Sequence, residues 1–393
     1  MMSLPWTACV IDTREDFVNS CPGWVFTIAP ENGQAGARTV TMGAFLETIE
    51  TGGHLTTLAR DHFCSLAVEP RHPTRYHFAA GTPGCLAAFL DKAVSCGAIR
   101  PHPAGKAKEV LELTLAKRRP IRSRIMGVLN LTSDSFYDGG NYLAIDAALE
   151  RVLTMVEEGA DIIDLGAESS RPGARPVSAD DEAARLLPVL RQVRKAAPTA
   201  ISVDTYKPEV AVQVLEEGAQ YINDIYGLRD DSALPAIIAR HQAGVVIMHM
   251  QGTPATMQTA PKYRCLPLEI ASFLAEGVSK ALTAGIDADR IFVDPGIGFG
   301  KTVPDNLWLI RHPEFLTGCG AAGVLYGPSR KSFIGAVVRR EAPGRLAGTA
   351  AVAALLSWYG CDVIRVHDTA DILDVVLMMT ALDSGGAARE DGV

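Results

Sequence analysis

From about residue 125 onward, short apolar runs alternate with stretches of helical character. Eight runs are rich in Val and Ile and apolar over nearly their whole length, which is typical of strands buried on both faces. Eight strand–helix units in about 260 residues predict an α/β fold, the (β/α)8 TIM barrel, with an open doubly wound sheet as the alternative. The predicted strands are RIMGVLN (124–130), ADIIDLGA (160–167), AISVDTY (200–206), AQYINDI (219–225), GVVIMHM (244–250), RIFVDPG (290–296), GVLYGPS (323–329) and DVIRVHD (362–368).

Polar side chains stand at or just past the C-terminal ends of these predicted strands. A single one commonly caps the next helix. A set that extends over all eight units favours the barrel, because the strand ends of a barrel converge on one mouth where active sites are built. The set comprises Asn130, Asp164, Glu168, Asp204, Asn223, His249, Asp294, Lys331, Arg365 and His367.

Two carboxylates of this set, Asp204 and Asp294, are predicted to face the mouth together with Asn223. Two acids in one mouth suit acid–base chemistry. They equally suit recognition of a ligand edge rich in N–H donors, because an ionised carboxylate accepts two parallel hydrogen bonds. The amide of Asn223 both donates and accepts, which suits a heterocycle with mixed groups. Capping of the following helix is the structural alternative for Asp204.

Cationic side chains gather after the seventh and eighth predicted strands. The segment GPSRKSFIG (327–335) places Ser329, Arg330 and Lys331 at the start of a helix, where free backbone N–H groups favour an anion. The same two loops are a frequent phosphate site in TIM barrels. Arg365 and His367 lie two residues apart on a strand and therefore share one face. We predict an anion site in this quadrant of the mouth.

The loops after the first two strands, LTSDSFYDGGNY (131–142) and AESSRPGARPV (167–177), are long and rich in Gly, Pro and Ser, which is typical of lids or binding loops. Asn130, at the entry to the first loop, is a candidate oxygen ligand for Mg2+, which binds a few protein oxygens together with phosphate and water. This mouth suits a group transfer in which a diphosphate-like group leaves a small heterocyclic substrate.

The segment DPGIGFGKT (294–302) ends like a nucleotide-binding phosphate loop. The motif G-x-x-x-x-G-K-[ST] requires a glycine where this chain has Pro295, so a triphosphate site is not predicted. We expect Asp294 to face the ligand and the glycines to let the loop turn tightly. Lys301 and Thr302 are expected to open the following helix.

Composition and charge restrict the partners. The net charge of -8 argues against a broad nucleic-acid surface but allows a local basic pocket. The cysteines form no C-x-x-C pair, so reduced thiols in a cytoplasmic protein are expected. No signal peptide is recognised, and the apolar segment LAGTAAVAALLSWYG is too short to span a membrane.

Residues 1–120 do not follow the alternation and are predicted to form a small α+β domain, followed by the barrel over 121–385 and a disordered tail over 386–393. The charged run KRRPIRSR, which ends at Arg124, is interpreted as a solvated linker. In the first domain, CVID, WVFTIA, FCSLAV and RYHFAAG are the predicted strands, and CLAAFLDKAVSC and AKEVLELTLAKRR the predicted helices.

The barrel region closely resembles dihydropteroate synthase, the folate-pathway family that joins a pterin to 4-aminobenzoate. The resemblance implies a TIM barrel, small-molecule substrates, Mg2+ as cofactor, and a homodimer to which the apolar helix at 346–360 could contribute. The matching motifs follow the family's order over roughly 124–383 and are MGVLNLTSDSFYDGG, DIIDLGAESSRPGA, SVDTYKPEVA, YINDIYG, VIMHMQGTP, FVDPGIGFGKTVPDNLWLI, GPSRKSFIG and IRVHD.

The resemblance also implies a role for each matching residue. The pterin would be held by Asp204, Asn223, Met248, Asp294 and Lys331. The diphosphate would be bound by Asn130, Arg171, Arg365 and His367, with Asn130 acting through Mg2+. The 4-aminobenzoate would lie among Ser170, Arg171, Pro172, Phe299 and Ser329. The catalytic residues would be Lys331, Asp294, Arg365 and Asn130.

Two positions depart from the family pattern: Ser133 replaces a proline in the first loop, and Ser170 replaces a threonine in the second. Serine keeps the hydroxyl at 170, whereas loss of the fixed proline φ at 133 loosens the empty loop. Two other functions remain as alternatives. A pterin-binding methyltransferase barrel would share the carboxylates and the amide but not need the cations, and a non-catalytic pterin-binding protein would keep the fold without activity.

Overall fold

The structure is a computed structural model that describes residues 25–27, 42–47, 65–68, 76–81, 122–131, 141–169, 176–229, 233–263, 266–313, 316 and 319–383. The chain divides into two units, one containing a four-stranded sheet and the other a closed barrel.

The sheet of the first unit is antiparallel, with strand order β1-β2-β4-β3. Its strands are β1 (Val25–Thr27), β2 (Met42–Glu47), β3 (Ser65–Val68) and β4 (Tyr76–Gly81). Three of them lie inside predicted runs. β2 was not predicted, because its sequence MGAFLE contains Gly and Ala, which have low β propensity. The predicted strand CVID and both predicted helices lie outside the described residues.

Eight parallel strands close the barrel of the second unit, and the last strand pairs with the first, so the barrel is confirmed and the open sheet is excluded. Every strand lies within its predicted run. The strands are β5 (Arg124–Asn130), β6 (Ile162–Gly166), β7 (Ala200–Asp204), β8 (Tyr221–Asp224), β9 (Gly244–Met248), β10 (Ile291–Asp294), β11 (Gly323–Tyr326) and β12 (Val363–Val366).

Helices connect successive strands, as parallel pairing requires. They are α1 (Asn141–Glu157), α2 (Ala179–Ala196), α3 (Pro208–Glu216), α4 (Leu234–Arg240), α5 (Leu266–Thr283), α6 (Val303–Arg311), α7 (Ser332–Val338), α8 (Leu346–Trp358) and α9 (Thr369–Asp383). Short 3-10 turns lie at Ala288–Arg290 and Ala342–Arg345. Within the described ranges, no helix is long and apolar enough to cross a membrane.

One apolar residue from each strand fills the lower part of the barrel. The six buried members of this layer are Met126, Ile162, Val246, Phe292, Leu325 and Val363, and Ala200 and Tyr221 pack against them. A cluster with one member from every strand of a closed barrel can only lie in its interior. Because strand side chains alternate, the residues two and four positions further along each strand point into the same interior, toward the C-terminal mouth.

The start of the barrel corrects one expectation. The end of the run KRRPIRSR is not a solvated linker. Arg122 pairs with Asp161 at 2.7 Å, and the hydroxyl of buried Ser123 donates to the Cys361 carbonyl at 2.6 Å. The guanidinium of Arg124 lies 5.1 Å from the ring centroid of Phe292. Residues 122–124 therefore belong to the N-terminal end of the barrel.

Candidate active site at the barrel mouth

A polar layer lies directly above the apolar layer. The next inward positions on the eight strands, or just past their ends, are Val128, Asp164, Ser202, Asn223, Met248, Asp294, Gly327 and Arg365. The positions after these include Asn130, Asp204, Ser329 and His367. Strand alternation thus gathers the predicted site residues of seven strands into one mouth, at the end of the barrel where TIM-barrel active sites form.

Asp164 is the centre of a buried network. Its Oδ2 accepts hydrogen bonds from Arg365 Nε at 2.6 Å and from Asn223 Nδ2 at 3.1 Å. Arg365 Nη2 also donates to Asp204 Oδ2 at 3.1 Å. The Asp164 side chain is fully buried, and its Oδ1 has no hydrogen-bond partner among the described residues. One guanidinium therefore links two carboxylates, and Asp164 also orients the Asn223 amide.

Burial raises the pKa of Asp204 to about 7. The nearby Arg365 charge opposes this shift, and the negative charge of Asp164 adds to it. Desolvation disfavours a charged carboxylate, and a second carboxylate disfavours it further. Asp204 is therefore poised to take up or release a proton close to neutral pH, which is a property common at functional sites.

Asp294 and Lys331 form a second polar group in the mouth. Asp294 is 5% exposed, its Oδ1 accepts from the Gly296 N–H at 2.7 Å, and its pKa is raised by burial against the opposing charge of Lys331. Burial lowers the pKa of Lys331 to about 8. The amine of Lys331 donates to the Ile297 carbonyl and lies 4.5 Å from the ring centroid of Phe299.

Lys331 and Arg365 occupy the same part of the mouth. A Cβ placed on Gly327 would lie 3.9 Å from Lys331 Nζ and 3.8 Å from Arg365 Cβ. The backbone of Arg330 is left-handed, with φ 55°, and its guanidinium turns toward Asp368 while Lys331 points inward. The side chains of Arg330 and Lys331, predicted to form one cluster, thus point in different directions. Of the two, only Lys331 points into the barrel mouth.

The segment after β10 turns sharply at its glycines. Gly296 has φ +70°, and a Cβ there would lie 1.9 Å from the His249 carbonyl oxygen, so this position accepts only glycine. Gly298 has φ +81°, and a Cβ there would lie 3.1 Å from Lys331 Cδ. The prediction of a tight turn between Asp294 and Phe299 is confirmed.

The end of the same segment differs from the prediction. Thr302 is the N-cap of α6, and its side chain forms a reciprocal capping box with Asp305, as expected of a helix start. Lys301 does not open the helix. Its side chain is 3% exposed and folds inward, where the amine lies 3.0 Å from His249 Nδ1 and 3.0 Å from the Phe299 carbonyl oxygen.

Ser329 and His367 define the predicted anion side. The backbone N–H of His367 donates to Ser329 Oγ at 3.2 Å, and this Oγ lies 2.9 Å from His367 Nδ1. Burial, with the Arg365 charge adding to it, lowers the pKa of His367 to about 4, so the ring is neutral. With the serine hydroxyl donating to Nδ1, the Nε2–H of His367 is left as a donor for a ligand.

Asn130 stands at the rim, at the end of β5, and is exposed. It is paired in register with Gly166, which is paired with Asp204. A Cβ on Gly166 would lie 3.9 Å from Asn130 Oδ1 and 3.8 Å from Asp204 Oδ2, so the two oxygens flank one glycine. Uncharged and carboxylate oxygens in this arrangement are donors of the kind that Mg2+ prefers.

The remaining predicted residues separate into two groups. Met248 is 3% exposed and belongs to a cluster with Ile225, Met250 and Met257, against which Phe299 packs. This cluster forms an apolar wall that includes two residues of the loop after β9 and adjoins Asp294, which pairs with Met248. Ser170, Arg171 and Pro172 lie outside the described residues, as does most of the first loop with Ser133.

Sequence reasoning placed Asp164 in the set of polar strand ends but assigned it no role, and it missed the buried position of Lys301. Alternation was a usable signal for Asp164, because it lies two residues after Ile162 of the apolar layer and two before Gly166. No pattern in the sequence indicated that Lys301 turns inward, since its position depends on the path of the loop.

A closed parallel barrel with buried acids, an amide, a lysine and an arginine at its C-terminal mouth has the architecture of a TIM-barrel enzyme. Residues 126–367 match the family described as pterin binding enzyme. The chain is 42% identical over 266 residues to the dihydropteroate synthase of Bacillus subtilis, which covers 67% of this chain and 90% of that relative. The chain belongs to the dihydropteroate synthase family.

Solved structures agree with this assignment. Dihydropteroate synthase from Xanthomonas albilineans with 4-aminobenzoic acid has a TM-score of 0.62 and 39% identity, and the match covers 67% of this chain and 94% of that one. The same enzyme in complex with 7,8-dihydropteroate has a TM-score of 0.60 and 36% identity, with coverage of 69% and 98%. Each match covers nearly the full length of the solved chain but about two thirds of this chain, the share that corresponds to its barrel.

Proposed function

We propose that this chain is a dihydropteroate synthase, which condenses 6-hydroxymethyl-7,8-dihydropterin diphosphate with 4-aminobenzoate to give 7,8-dihydropteroate and diphosphate in folate biosynthesis. The observation that carries the proposal is the convergence of Asp204, Asn223 and Asp294 with Lys331 and Arg365 in one buried mouth. The X. albilineans enzyme that is similar over the barrel has been solved with 4-aminobenzoic acid and with 7,8-dihydropteroate.

The carboxylates and the amide would recognise the pterin ring. The amino-pyrimidine edge presents several N–H donors, and Asp204 and Asp294 can accept them once ionised. Lys331 would donate to the ring carbonyl, for which its amine is already oriented beside Asp294 by the Ile297 carbonyl. Met248 contributes an apolar surface against the ring face.

The reaction proposed here begins with cleavage of the bond between the pterin methylene carbon and the diphosphate oxygen, whose electron pair leaves with the diphosphate. Arg365 and the Nε2–H of His367 would stabilise the departing negative charge. Mg2+, when bound, would supply further positive charge to the diphosphate oxygens. Asn130 Oδ1 would hold the metal, with Asp204 Oδ2 across Gly166 as a carboxylate oxygen on the same side of the mouth.

The second step would form a bond between the amine nitrogen of 4-aminobenzoate and the cationic methylene, and the nitrogen then loses a proton. Phe299 and Ser329 would flank the aminobenzoate, with Ser170, Arg171 and Pro172 of the second loop as the other predicted contacts. Exclusion of water by the loops would prevent hydrolysis of the reactive methylene. The ammonium of Lys331 against the Phe299 ring joins the pterin and aminobenzoate sides.

The proposal includes a homodimer in the cytoplasm that binds no nucleic acid. α8 packs against α7 and α9, and these neighbours expose the large apolar side chains of Val337, Leu377, Met378 and Leu382. Apolar side chains grouped on adjacent helices favour burial between subunits. Sedimentation of the wild type and of Met378→Glu tests this: a dimer that the substitution dissociates is expected, and a monomeric wild type would contradict it.

The experiment for the activity measures diphosphate release from the pterin diphosphate with Mg2+, with and without 4-aminobenzoate. Release that depends on 4-aminobenzoate and yields dihydropteroate is expected. Pterin binding without dihydropteroate would favour a non-catalytic protein, and methyl transfer without it would favour the methyltransferase alternative. Lys331→Ala should lower kcat/KM by roughly a hundredfold or more, as for loss of a charged contact, whereas Lys195→Ala on the exposed face of α2 should not change it.

A further inference from the structure

Lys301 carries a buried amine that the proposed reaction does not use. Its amine is 3.0 Å from His249 Nδ1, 3.4 Å from the His249 carbonyl oxygen and 3.0 Å from the Phe299 carbonyl oxygen. Burial keeps the pKa of His249 well below its usual value, and the Lys301 charge adds to this effect, so the imidazole is neutral and Nδ1 can accept. The amine thus has an acceptor for each of its three N–H bonds.

A buried amine in this position is costly, because desolvation of an ammonium is unfavourable unless hydrogen bonds replace water. Burial lowers the pKa of Lys301 to about 7, in agreement with that cost. Among the described residues, Lys301 forms no ion pair, and its amine bonds to one imidazole nitrogen and two backbone carbonyls. An unbranched apolar side chain such as methionine would fill most of the same volume without this cost, so the hydrogen bonds are the property that the lysine adds.

Those hydrogen bonds join two segments of the mouth. His249 follows β9, and Phe299 belongs to the loop after β10. This loop places two groups on Lys331: the Ile297 carbonyl accepts from its amine, and the Phe299 ring lies 4.5 Å from it. The Lys301 amine connects the Phe299 carbonyl to His249. It therefore also fixes the position of the Phe299 ring relative to Lys331.

We infer that Lys301 is a positioning residue that acts through Phe299, holding its ring as the wall of the 4-aminobenzoate site and as the support of Lys331. The inference rests on the proposed function for its kinetic consequences. The lysine of the G-K-T sequence thus has an inward hydrogen-bonding role in place of phosphate binding. Lys301 does not contact substrate in this scheme.

The test replaces Lys301 with methionine, which is one atom shorter but unbranched and apolar, and which removes the donors. We expect KM for 4-aminobenzoate to rise about tenfold while kcat changes less than about threefold, since misplacement of a supporting group by a fraction of an ångström has effects of this order. The matched control is Thr302→Ala, which removes the N-cap of α6 and lowers stability next to the same loop but leaves KM unchanged.

A double-mutant cycle with Phe299→Ala separates positioning from general destabilisation. If Lys301 acts through Phe299, adding Lys301→Met to Phe299→Ala raises KM by less than about twofold, because the interaction is already lost. A full tenfold increase in that background would overturn the inference, as would an unchanged KM in Lys301→Met or an equal increase in Thr302→Ala. Should the methionine variant fail to fold, Lys301→Gln, which retains a donor on a shorter chain, takes its place with the same expected direction.

Amide hydrogen exchange supplies a measurement that does not depend on activity. Exchange at residues 297–300 should accelerate more than about tenfold in Lys301→Met and stay near wild type in Thr302→Ala, because only the first substitution releases this loop. Equal protection in both variants would refute the inference. If the wild type makes no dihydropteroate, the proposed function fails, and the exchange experiment still decides whether Lys301 holds the loop.

Discussion

Asp164→Asn tests how the buried network controls the mouth. The substitution keeps the shape of the side chain, and its amide oxygen can still accept from Arg365 Nε and Asn223 Nδ2. The new NH2 takes the place of Oδ1, which has no partner among the described residues, so no existing hydrogen bond is broken. The negative charge is lost, and among the described residues Asp204 remains as the carboxylate bonded to the guanidinium.

The expected magnitude follows from these contacts. Removing one partner of a buried ion pair costs about 3 to 5 kcal/mol when the other charge is left alone. Here Arg365 keeps Asp204, and the main loss is the difference between a charge-assisted and a neutral hydrogen bond, about 1 to 1.5 kcal/mol. We therefore expect the free energy of unfolding to fall by about 1 to 2 kcal/mol, measured by urea denaturation at pH 7.5.

Asp164→Asn should also change the pKa of Asp204, an effect that a general loss of stability would not produce. The Asp164 charge helps to raise the pKa of Asp204, so Asp164→Asn should lower that pKa from about 7. Because the folded pKa of Asp204 lies above its unfolded value of 3.8, its protonation stabilises the native state at low pH, and this contribution is lost as pH rises toward 7. In Asp164→Asn, the stabilisation that protonated Asp204 contributes should therefore be fully lost at a lower pH than in the wild type.

The assay is the pH dependence of pterin affinity by calorimetry, alongside unfolding at each pH. Asp161→Asn is the matched control, because Asp161 pairs with Arg122 at the N-terminal end of the barrel. Asp161→Asn should lower the free energy of unfolding but leave unchanged the pH at which pterin affinity is half-maximal. The reasoning is refuted if the pH midpoint of pterin affinity is the same in Asp164→Asn and in the wild type. It is also refuted if the substitution changes the free energy of unfolding by less than about 0.5 kcal/mol.

Three further outcomes are expected. Gly296→Ala should destabilise by about 3 kcal/mol or more in urea denaturation, because its Cβ meets the His249 carbonyl at 1.9 Å, whereas Gly285→Ala, with φ +94° and nearest contact at 4.0 Å, should cost only about 1 to 2 kcal/mol. The kcat/KM for the pterin substrate should rise with pH through about 7 as Asp204 ionises and fall above about 8 as Lys331 loses its proton, and a flat profile between pH 6 and 9 would contradict these assignments. Removal of Mg2+ with a chelator should abolish dihydropteroate formation reversibly without changing the urea midpoint, and activity that persists would exclude the metal from the reaction.

Much of the site could be predicted because its residues follow strand periodicity. Asn223 lies two residues after Tyr221, and Arg365 lies two after Val363, so each projects into the same interior as the apolar layer below it. The partners of these residues could not be predicted in the same way. Arg365 was assigned to the diphosphate, and the structure shows its guanidinium bonded to Asp164 and Asp204, a pairing across three strands that depends on how the barrel closes.

Loop residues show the same limit more clearly. The capping box of Thr302 and Asp305 is a local interaction between residues three apart, and the sequence indicated a helix start there. Lys301, one residue earlier, turns inward because His249 and the Phe299 carbonyl offer acceptors 52 and 2 residues away. The opposite orientations of two neighbouring side chains are decided by contacts that local sequence does not encode.

The sequence by itself determined the eight strands and the family, because an apolar run between helices is a local property repeated eight times and the motifs remain in register. Tertiary structure alone decided which charges are paired, which are buried, and therefore which pKa values are shifted. The physical reason is that strand formation depends on short-range alternation, whereas the energy of a charge depends on the polar groups and solvent that surround it after distant segments have packed together.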